Sequence, residues 1–365
     1  MKLNIAVLSG DGIGPEVTDQ AMKVLKAIAV EFDHTFLFKS ADVGAIAIDK
    51  HNNPLPDDTL KLCKLSDAIL FGAIGDPKYD NNPSAKVRPE QGLLKLRKEL
   101  GLYTNIRPVK AYETLLDKSP LKRNIIEGTD ISIYRELTGG IYFGKKALSE
   151  DGNTASDLCE YSRIEIERIA NLAFKAAQSR SKKVTLVDKA NVLETSRLWR
   201  KVVTEMAPDY PDVTLDFLFV DNAAMQMILN PKQFDVILTE NLFGDVISDE
   251  ASVIGGSIGL LASASVGDRY AMFEPIHGSY PQATGKGIAN PIASILSAAM
   301  LLEHFELFEE ADLIKKGVDK SLKLNITTPD INTTHDNVST NKVGDFIADF
   351  ISNPTDSNIN FNNIH

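Results

Sequence analysis

Asp221, Asp245 and Asp249 are the residues whose types and spacing point most directly to chemistry. Asp245 and Asp249 stand four residues apart in ENLFGDVISDEAS, residues 240–252. On a helix that spacing puts both carboxylates on one face. Two carboxylates held so close repel each other unless a cation lies between them. Asp221 stands in TLDFLFVDNAAMQ, at the end of an apolar run that reads as a buried strand. A hard divalent cation such as Mg²⁺ or Mn²⁺ takes oxygen ligands of this kind and keeps positions open for water and substrate. Taken alone, an Asp-x-x-x-Asp pair is usually part of a solvated helix face. Here the neighbours Leu242, Phe243, Val246 and Ile247 are apolar, which brings the metal reading level with the bland one.

Cationic groups that could hold an anionic substrate come next. Arg97 lies in LLKLRKELG, Arg107 in TNIRPVK and Arg135 in ISIYRELTGG. The planar guanidinium suits bidentate carboxylate recognition. Each alone is an ordinary surface residue, but all three flank apolar or glycine-rich segments, as a polyanion pocket requires. Tyr142 in GGIYFGKK and Lys189 in LVDKANVL sit at strand ends. A partly buried lysine can act as a base and a tyrosine can relay a proton; as rim residues both would be unremarkable. The segment Glu274–Pro291, EPIHGSYPQATGKGIANP, is a long loop rich in Gly and Pro. Its backbone N–H groups could cradle an anionic ligand.

GDGIGPE, residues 10–16, follows the first apolar run and opens the first helical pattern. It invites a dinucleotide-binding reading. The Rossmann fingerprint, however, needs a third glycine where this chain has Pro15. No P-loop motif occurs either. A tight strand-to-helix turn with proline at the helix start accounts for the pattern.

The elements that must position these groups alternate between strand and helix. Strands are expected at Asn4–Ser9, Thr35–Lys39, Ala68–Ala73 and Leu102–Val109, and helices at Ile13–Val30, Gly92–Glu99 and Ile164–Ser181. Ile131–Tyr134 and Gly140–Gly144 read as short antiparallel strands or an arm. Three strand-then-helix units follow: Val184–Val187 with Leu193–Met206, Leu215–Val220 with Asn222–Leu229, and Val236–Thr239 with Leu242–Ser252. Two late helices are expected at Pro291–Phe308 and Asp312–Leu322, and a loosely ordered tail from Ser352. The alternation implies an α/β fold with mostly parallel sheets.

The bulk numbers narrow the function classes. A chain of 365 residues with 43% hydrophobic residues can fill two domains. Its net charge of -11 and lack of a basic run argue against nucleic acid as a partner. Cys63 and Cys159, without a C-x-x-C pair, suit a reducing compartment and no zinc site. No signal peptide is expected, and no stretch approaches the roughly 18 apolar residues of a membrane span. The expectation is a soluble cytoplasmic protein.

Taken in order, GDGIGPEV, LFGAIGDPKYD, RPEQGLLKLRKELGLYTNIRPVK, YRELTGGIYFG, VDKANVL, FVDNAAMQ, ENLFGDVISDEAS and HGSYPQATGKGIANP resemble the β-decarboxylating dehydrogenases, the family of isopropylmalate and isocitrate dehydrogenases. The resemblance covers nearly the whole chain. It implies a two-domain, non-Rossmann fold whose first domain is discontinuous: residues 1–102 plus 256–365 for the coenzyme, and 103–255 for substrate, metal and dimerisation. It implies that Arg97, Arg107 and Arg135 hold the malate carboxylates, and that Asp221, Asp245 and Asp249 bind Mg²⁺ or Mn²⁺, with Asp221 also near the substrate. Lys189 would accept the hydroxyl proton and Tyr142 would protonate the enol after CO₂ leaves. Lys189 and Asp221 would reach the site from the neighbouring subunit of a homodimer. Glu274, His277, Gly278, Ser279, Gln282, Ala283, Gly285 and Asn290 would hold NAD.

Within the family, substrate choice falls on RPEQGLL. Leu93 and Leu94 offer an apolar wall suited to an isopropyl group, with Glu90 near the nicotinamide. Isocitrate enzymes carry a small hydroxyl residue and an Asn there for a third carboxylate, which two leucines and a glutamate would not pair. The implied reaction is NAD-dependent oxidative decarboxylation of 3-isopropylmalate to 4-methyl-2-oxopentanoate in leucine synthesis. Isocitrate, tartrate or a longer homologue is the alternative substrate. A non-catalytic subunit is the rival of another class, but it should have lost residues that this chain keeps. Gln282 departs from the Asp usual in NAD-using relatives, while Asn341 and Asp345 stand where NADP-using relatives carry Tyr and Arg.

Overall fold

In the computed structural model the described residues are 1–82, 85–332 and 338–353. The chain divides into two compact units: Met1–Leu100 with Ser257–Ala264 and Arg269–His365, and Gly101–Gly256 with Ser265–Asp268. Among the described residues the strands run in chain order as β1 Lys2–Gly10, β2 Thr35–Ser40, β3 Ala68–Ala73, β4 Thr104–Lys110, β5 Asp130–Glu136 and β6 Lys146–Leu148. They continue as β7 Ala155–Asp157, β8 Lys183–Asp188, β9 Thr214–Phe219, β10 Val236–Thr239, β11 Ala262–Val266 and β12 Ala271–Pro275. The mixed α/β architecture expected from the alternating pattern is present.

In the first unit the strand order is β2-β1-β3-β12-β11. β1 runs parallel to β2 and to β3, and β12 runs parallel to β3. All six residues of β3 are buried, as a parallel strand covered on both faces requires. The helix Gly14–Glu31 starts on Pro15 and buries Val17, Ala21, Val24, Leu25 and Ile28, one stripe at helical spacing. It packs against the C-terminal helix Thr340–Ser352, which the sequence reading did not assign. The expected tail lies beyond it: Ser352 closes that helix, and residues 354–365 lie outside the described residues.

In the second unit the order is β4-β5-β10-β8-β9. β4 is antiparallel to β5, and β5, β10, β8 and β9 are parallel. The helix Arg163–Gln178 begins on a capping box, Ser162 with Glu165, and packs Ile166, Ile169 and Phe174 against Trp199 and Val203 of the helix Glu194–Met206. Two expectations are corrected here. Thr214–Phe219 is a half-exposed edge strand, and Asp221 does not end it but opens the helix Val220–Leu229. The apolar run there spans a strand and the start of a helix, which periodicity alone does not separate. Gly140–Gly144 is no strand: Gly140–Tyr142 is a single tight helical turn. The antiparallel ribbon lies just after it, formed by exposed β6 and β7.

Candidate active site

The helix Asn241–Ala251 buries Asn241, Gly244, Ile247, Ser248 and Ala251, and this face is turned to β5 and β4. Asp245 and Asp249 flank it one turn apart. Arg135, on β5 and only 4% exposed, donates from Nη1 to Asp245. Its Nε and Nη2 both donate to Asn241 Oδ1, at 3.2 Å and 2.9 Å. Asn241 is held in turn, its Nδ2 donating to the Gly139 carbonyl at 3.1 Å and its N–H to Tyr161 Oη at 3.0 Å. Gly244 makes room for this: a Cβ there would lie 2.7 Å from Arg135 Cγ.

Arg107, on β4, is buried beside it. Nη1 donates to Ser248 Oγ at 2.6 Å and to Asp249 Oδ1 at 3.2 Å, while Nη2 stands 3.6 Å from Asp245 Oδ1. Nε donates to Asn105 Oδ1 at 2.7 Å, which fixes the plane of the guanidinium. Tyr142 Oη donates to Asp245 Oδ2 at 2.9 Å. Burial, and then the Asp245 carboxylate, push the Tyr142 phenol above its ordinary value. Tyr142 therefore remains a proton donor at neutral pH. The unit thus gathers two guanidinium groups, two carboxylates and one protonated phenol, a set that can bind a dianion beside a cation and return a proton.

Lys189 and Asp221 form a separate pair, Nζ to Oδ1 at 2.5 Å. That hydrogen bond holds the Asp221 carboxyl below its usual range, although its side chain is 68% exposed. Asp221 does not join Asp245 and Asp249 within one chain. Among the described residues no group of three His, Cys, Asp or Glu could hold a metal ion. The two carboxylates that do converge are hard oxygen donors suited to Mg²⁺ or Mn²⁺, and Asp249 keeps its side chain 64% exposed.

In the first unit the helix Pro89–Glu99 sets Glu90, Leu93, Leu94 and Arg97 at helical spacing on one face, in that order. Arg97 Nη2 donates to Glu274 Oε1 at 2.8 Å, while its Nε is buried without a hydrogen-bond partner. An orphaned buried donor suits an incoming carboxylate. In the long loop, His277 Nδ1 faces the Gly278 carbonyl at 3.0 Å. Its Nε2 is buried and unpartnered, and burial lowers its pKa. A neutral ring with Nδ1 as donor leaves Nε2 free to accept. Open space lies beside Gly278, Gly285 and Gly287. These features suit a nucleotide with amino and hydroxyl donors.

The remaining loop residues are spread in character. Gln282 is exposed, whereas Ala283 is fully buried with Ile13, Val17 and Ala289. Ser279 is buried and accepts from Ile13 N–H through its carbonyl. Asn290 accepts from Ile292 N–H and donates to Asp330. Asn241, Ser248 and Asn105 escaped the sequence reading. The first two stand four before and three after Asp245, so helical spacing from that residue flags them.

The isocitrate/isopropylmalate dehydrogenase family pattern matches residues 4–347. The chain belongs to the isocitrate/isopropylmalate dehydrogenase family. It is 54% identical over 352 residues to 3-isopropylmalate dehydrogenase of Bacteroides fragilis (strain YCH46), spanning 96% of this chain and 99% of that protein. It is 51% identical over 366 residues to 3-isopropylmalate dehydrogenase of Bacillus subtilis (strain 168), spanning 98% of this chain and all of that one. Among solved structures, isocitrate dehydrogenase from Methylococcus capsulatus superposes with a TM-score of 0.86 at 33% identity, covering 96% of this chain and 99% of that one. The family membership makes the chain an oxidoreductase.

Proposed function

We propose that this member of the family oxidatively decarboxylates 3-isopropylmalate to 4-methyl-2-oxopentanoate and CO₂, with NAD⁺ and Mg²⁺ or Mn²⁺, as a step of leucine synthesis in the cytoplasm. The carrying observation is the helix face that sets Leu93 and Leu94 between Glu90 and Arg97. An apolar wall beside an arginine matches an isopropyl group beside a carboxylate, and it leaves a third carboxylate unpaired. The relatives named 3-isopropylmalate dehydrogenase match over nearly the full chain. No described helix is long and apolar enough to cross a membrane.

When bound, NAD⁺ would take the hydride and the divalent cation would polarise the new carbonyl. Arg97, Arg107 and Arg135 bind the two carboxylates of the substrate. Asp245 and Asp249 of one subunit, with Asp221 of a second, would hold the cation. Lys189 of the second subunit takes the substrate's hydroxyl proton, through water. As CO₂ leaves, the electron pair of the broken C–C bond passes to the enol, and Tyr142 returns a proton to carbon. Glu274, His277, Gly278, Ser279, Gln282, Ala283, Gly285 and Asn290 seat the coenzyme.

Sharing between copies is supported by Asp221 pairing with Lys189 while, among the described residues of one chain, no group of three acidic, His or Cys side chains could hold a metal ion. It is also supported by exposed apolar side chains: Met225, Ile228 and Leu229 on the helix Val220–Leu229, and Val246 beside Asp245. Turnover of 3-isopropylmalate with NAD⁺ and Mg²⁺ must stop in excess EDTA. Full turnover in EDTA would remove the metal from the reading.

A further inference from the structure

The GDGIGPE turn fails as a Rossmann fingerprint, yet the first of its two acidic residues, Asp11, is a buried junction. Asp11 Oδ2 accepts N–H bonds from Ala45 at 2.8 Å and Gly75 at 3.0 Å, and Oδ1 accepts from Ile46 at 3.0 Å. Ala45 and Ile46 open the helix Ala45–His51, and Gly75 lies in the loop after β3. Asp11 has no basic partner among the described residues; three backbone donors alone offset its burial, which raises its carboxyl pKa.

The turn is fastened to the long loop as well. Ile13 N–H donates to the Ser279 carbonyl at 2.8 Å. Gly12 comes so near that a Cβ would sit 2.0 Å from that oxygen, so only glycine permits the approach. Gly75 in turn borders both Glu90 and Ser279: a Cβ there would lie 3.4 Å from Glu90 Oε1 and from Ser279 Oγ. One carboxylate therefore registers the turn that carries the Ser279 backbone with the loop on which Ser279 and Glu90 rest.

We propose that Asp11 is a positioning residue for the nicotinamide coenzyme, locking the first turn, the helix Ala45–His51 and the Gly75 loop into one seat beside Ser279 and Glu90. The assignment rests on the reading that Glu274, near the end of β12, and the loop from His277 to Asn290 hold the coenzyme. Without the carboxylate the three segments lose their common anchor, and a smaller fraction of molecules presents the seat, so apparent coenzyme affinity falls by that fraction.

Asp11→Asn keeps the shape but turns an amide N–H₂ against one of three N–H donors. The dissociation constant of NADH, read from coenzyme fluorescence, should rise roughly tenfold, as for the loss of one charge-assisted hydrogen bond. Calorimetric binding of 3-isopropylmalate with Mg²⁺, without coenzyme, should change by less than about twofold. An unchanged NADH affinity in folded Asp11→Asn, or an equal loss for isopropylmalate, would overturn the assignment. Should that variant not fold, amide exchange of the wild type decides: exchange at Gly75 and Ile13 slows on NADH binding if Asp11 acts as proposed, and exchange indifferent to NADH contradicts it. A wild-type chain that binds no NADH at all would overturn the coenzyme reading, and this assignment with it.

Discussion

Arg135 shows how much a single side chain depends on what surrounds it. Its Nη1 donates to Asp245, its edge is fixed by Asn241, and its passage under the helix depends on Gly244 lacking a Cβ. Glu240, just before that helix, is the costly neighbour. It is 5% exposed, and its Oε2 is buried without a partner. Burial first, then Glu136 and Asp188, push its carboxyl from 4.5 up to about 7. The neutral form is the one the fold favours, so its contribution to stability is complete below about pH 4.5 and is lost as pH rises through about 7. Glu240→Gln removes that loss. Its melting temperature relative to wild type should climb between pH 5 and pH 8, corresponding to on the order of 2–3 kcal/mol. A constant difference across that range would show that Glu240 ionises without penalty. The acids and arginines were legible in the sequence because charged residues beside apolar runs are conspicuous. Asn241 and Ser248 were not, since a small polar residue gives no signal until the helix face it shares is known.

At the scale of elements, apolar alternation placed β3 to the residue and most helices to within a few residues, because these segments are buried on one or both faces. It missed the helix Thr340–Ser352 and misread Gly140–Gly144, where glycines permit a tight turn as readily as a strand. The missed helix matters for coenzyme choice. Asn341 accepts from Gln20 Nε2 at 2.6 Å, and Asp345 pairs with Lys23 at 2.5 Å, both partners lying on the helix Gly14–Glu31. The nearby lysine is thus occupied by an acid, and Asp345 itself is negative. A 2′-phosphate placed there meets no uncommitted cation among these four residues, while exposed Gln282 can still bond ribose hydroxyls. NAD⁺ should give the higher kcat/KM at fixed isopropylmalate and Mg²⁺, by a smaller margin than in relatives with Asp at position 282. A higher value with NADP⁺ would require a basic group outside this helix pair.

For the whole molecule the two units carry different halves of the candidate chemistry. Arg97, the leucine wall and the long loop belong to the first; Arg107, Arg135, Tyr142, Asp245 and Asp249 belong to the second. Among the described residues of one chain Asp221 pairs with Lys189 and joins no group of three that could hold a metal ion, which accords with a site completed by another copy. Lys189→Ala alone should lose roughly 10²–10⁴-fold in kcat, the usual weight of a general base. Chains of Lys189→Ala and Asp245→Asn refolded together should regain one working site per mixed dimer. No recovery in a verified heterodimer would mean that each chain works alone. The helix face Glu90–Arg97 decides which 2-hydroxy acid is accepted. The deciding measurement is kcat/KM for 3-isopropylmalate against isocitrate, with NAD⁺ and Mg²⁺ held fixed. Leu93 and Leu94 predict a preference for isopropylmalate of at least roughly 10²-fold, because the third carboxylate of isocitrate has no partner there. An equal or higher value for isocitrate would contradict the account.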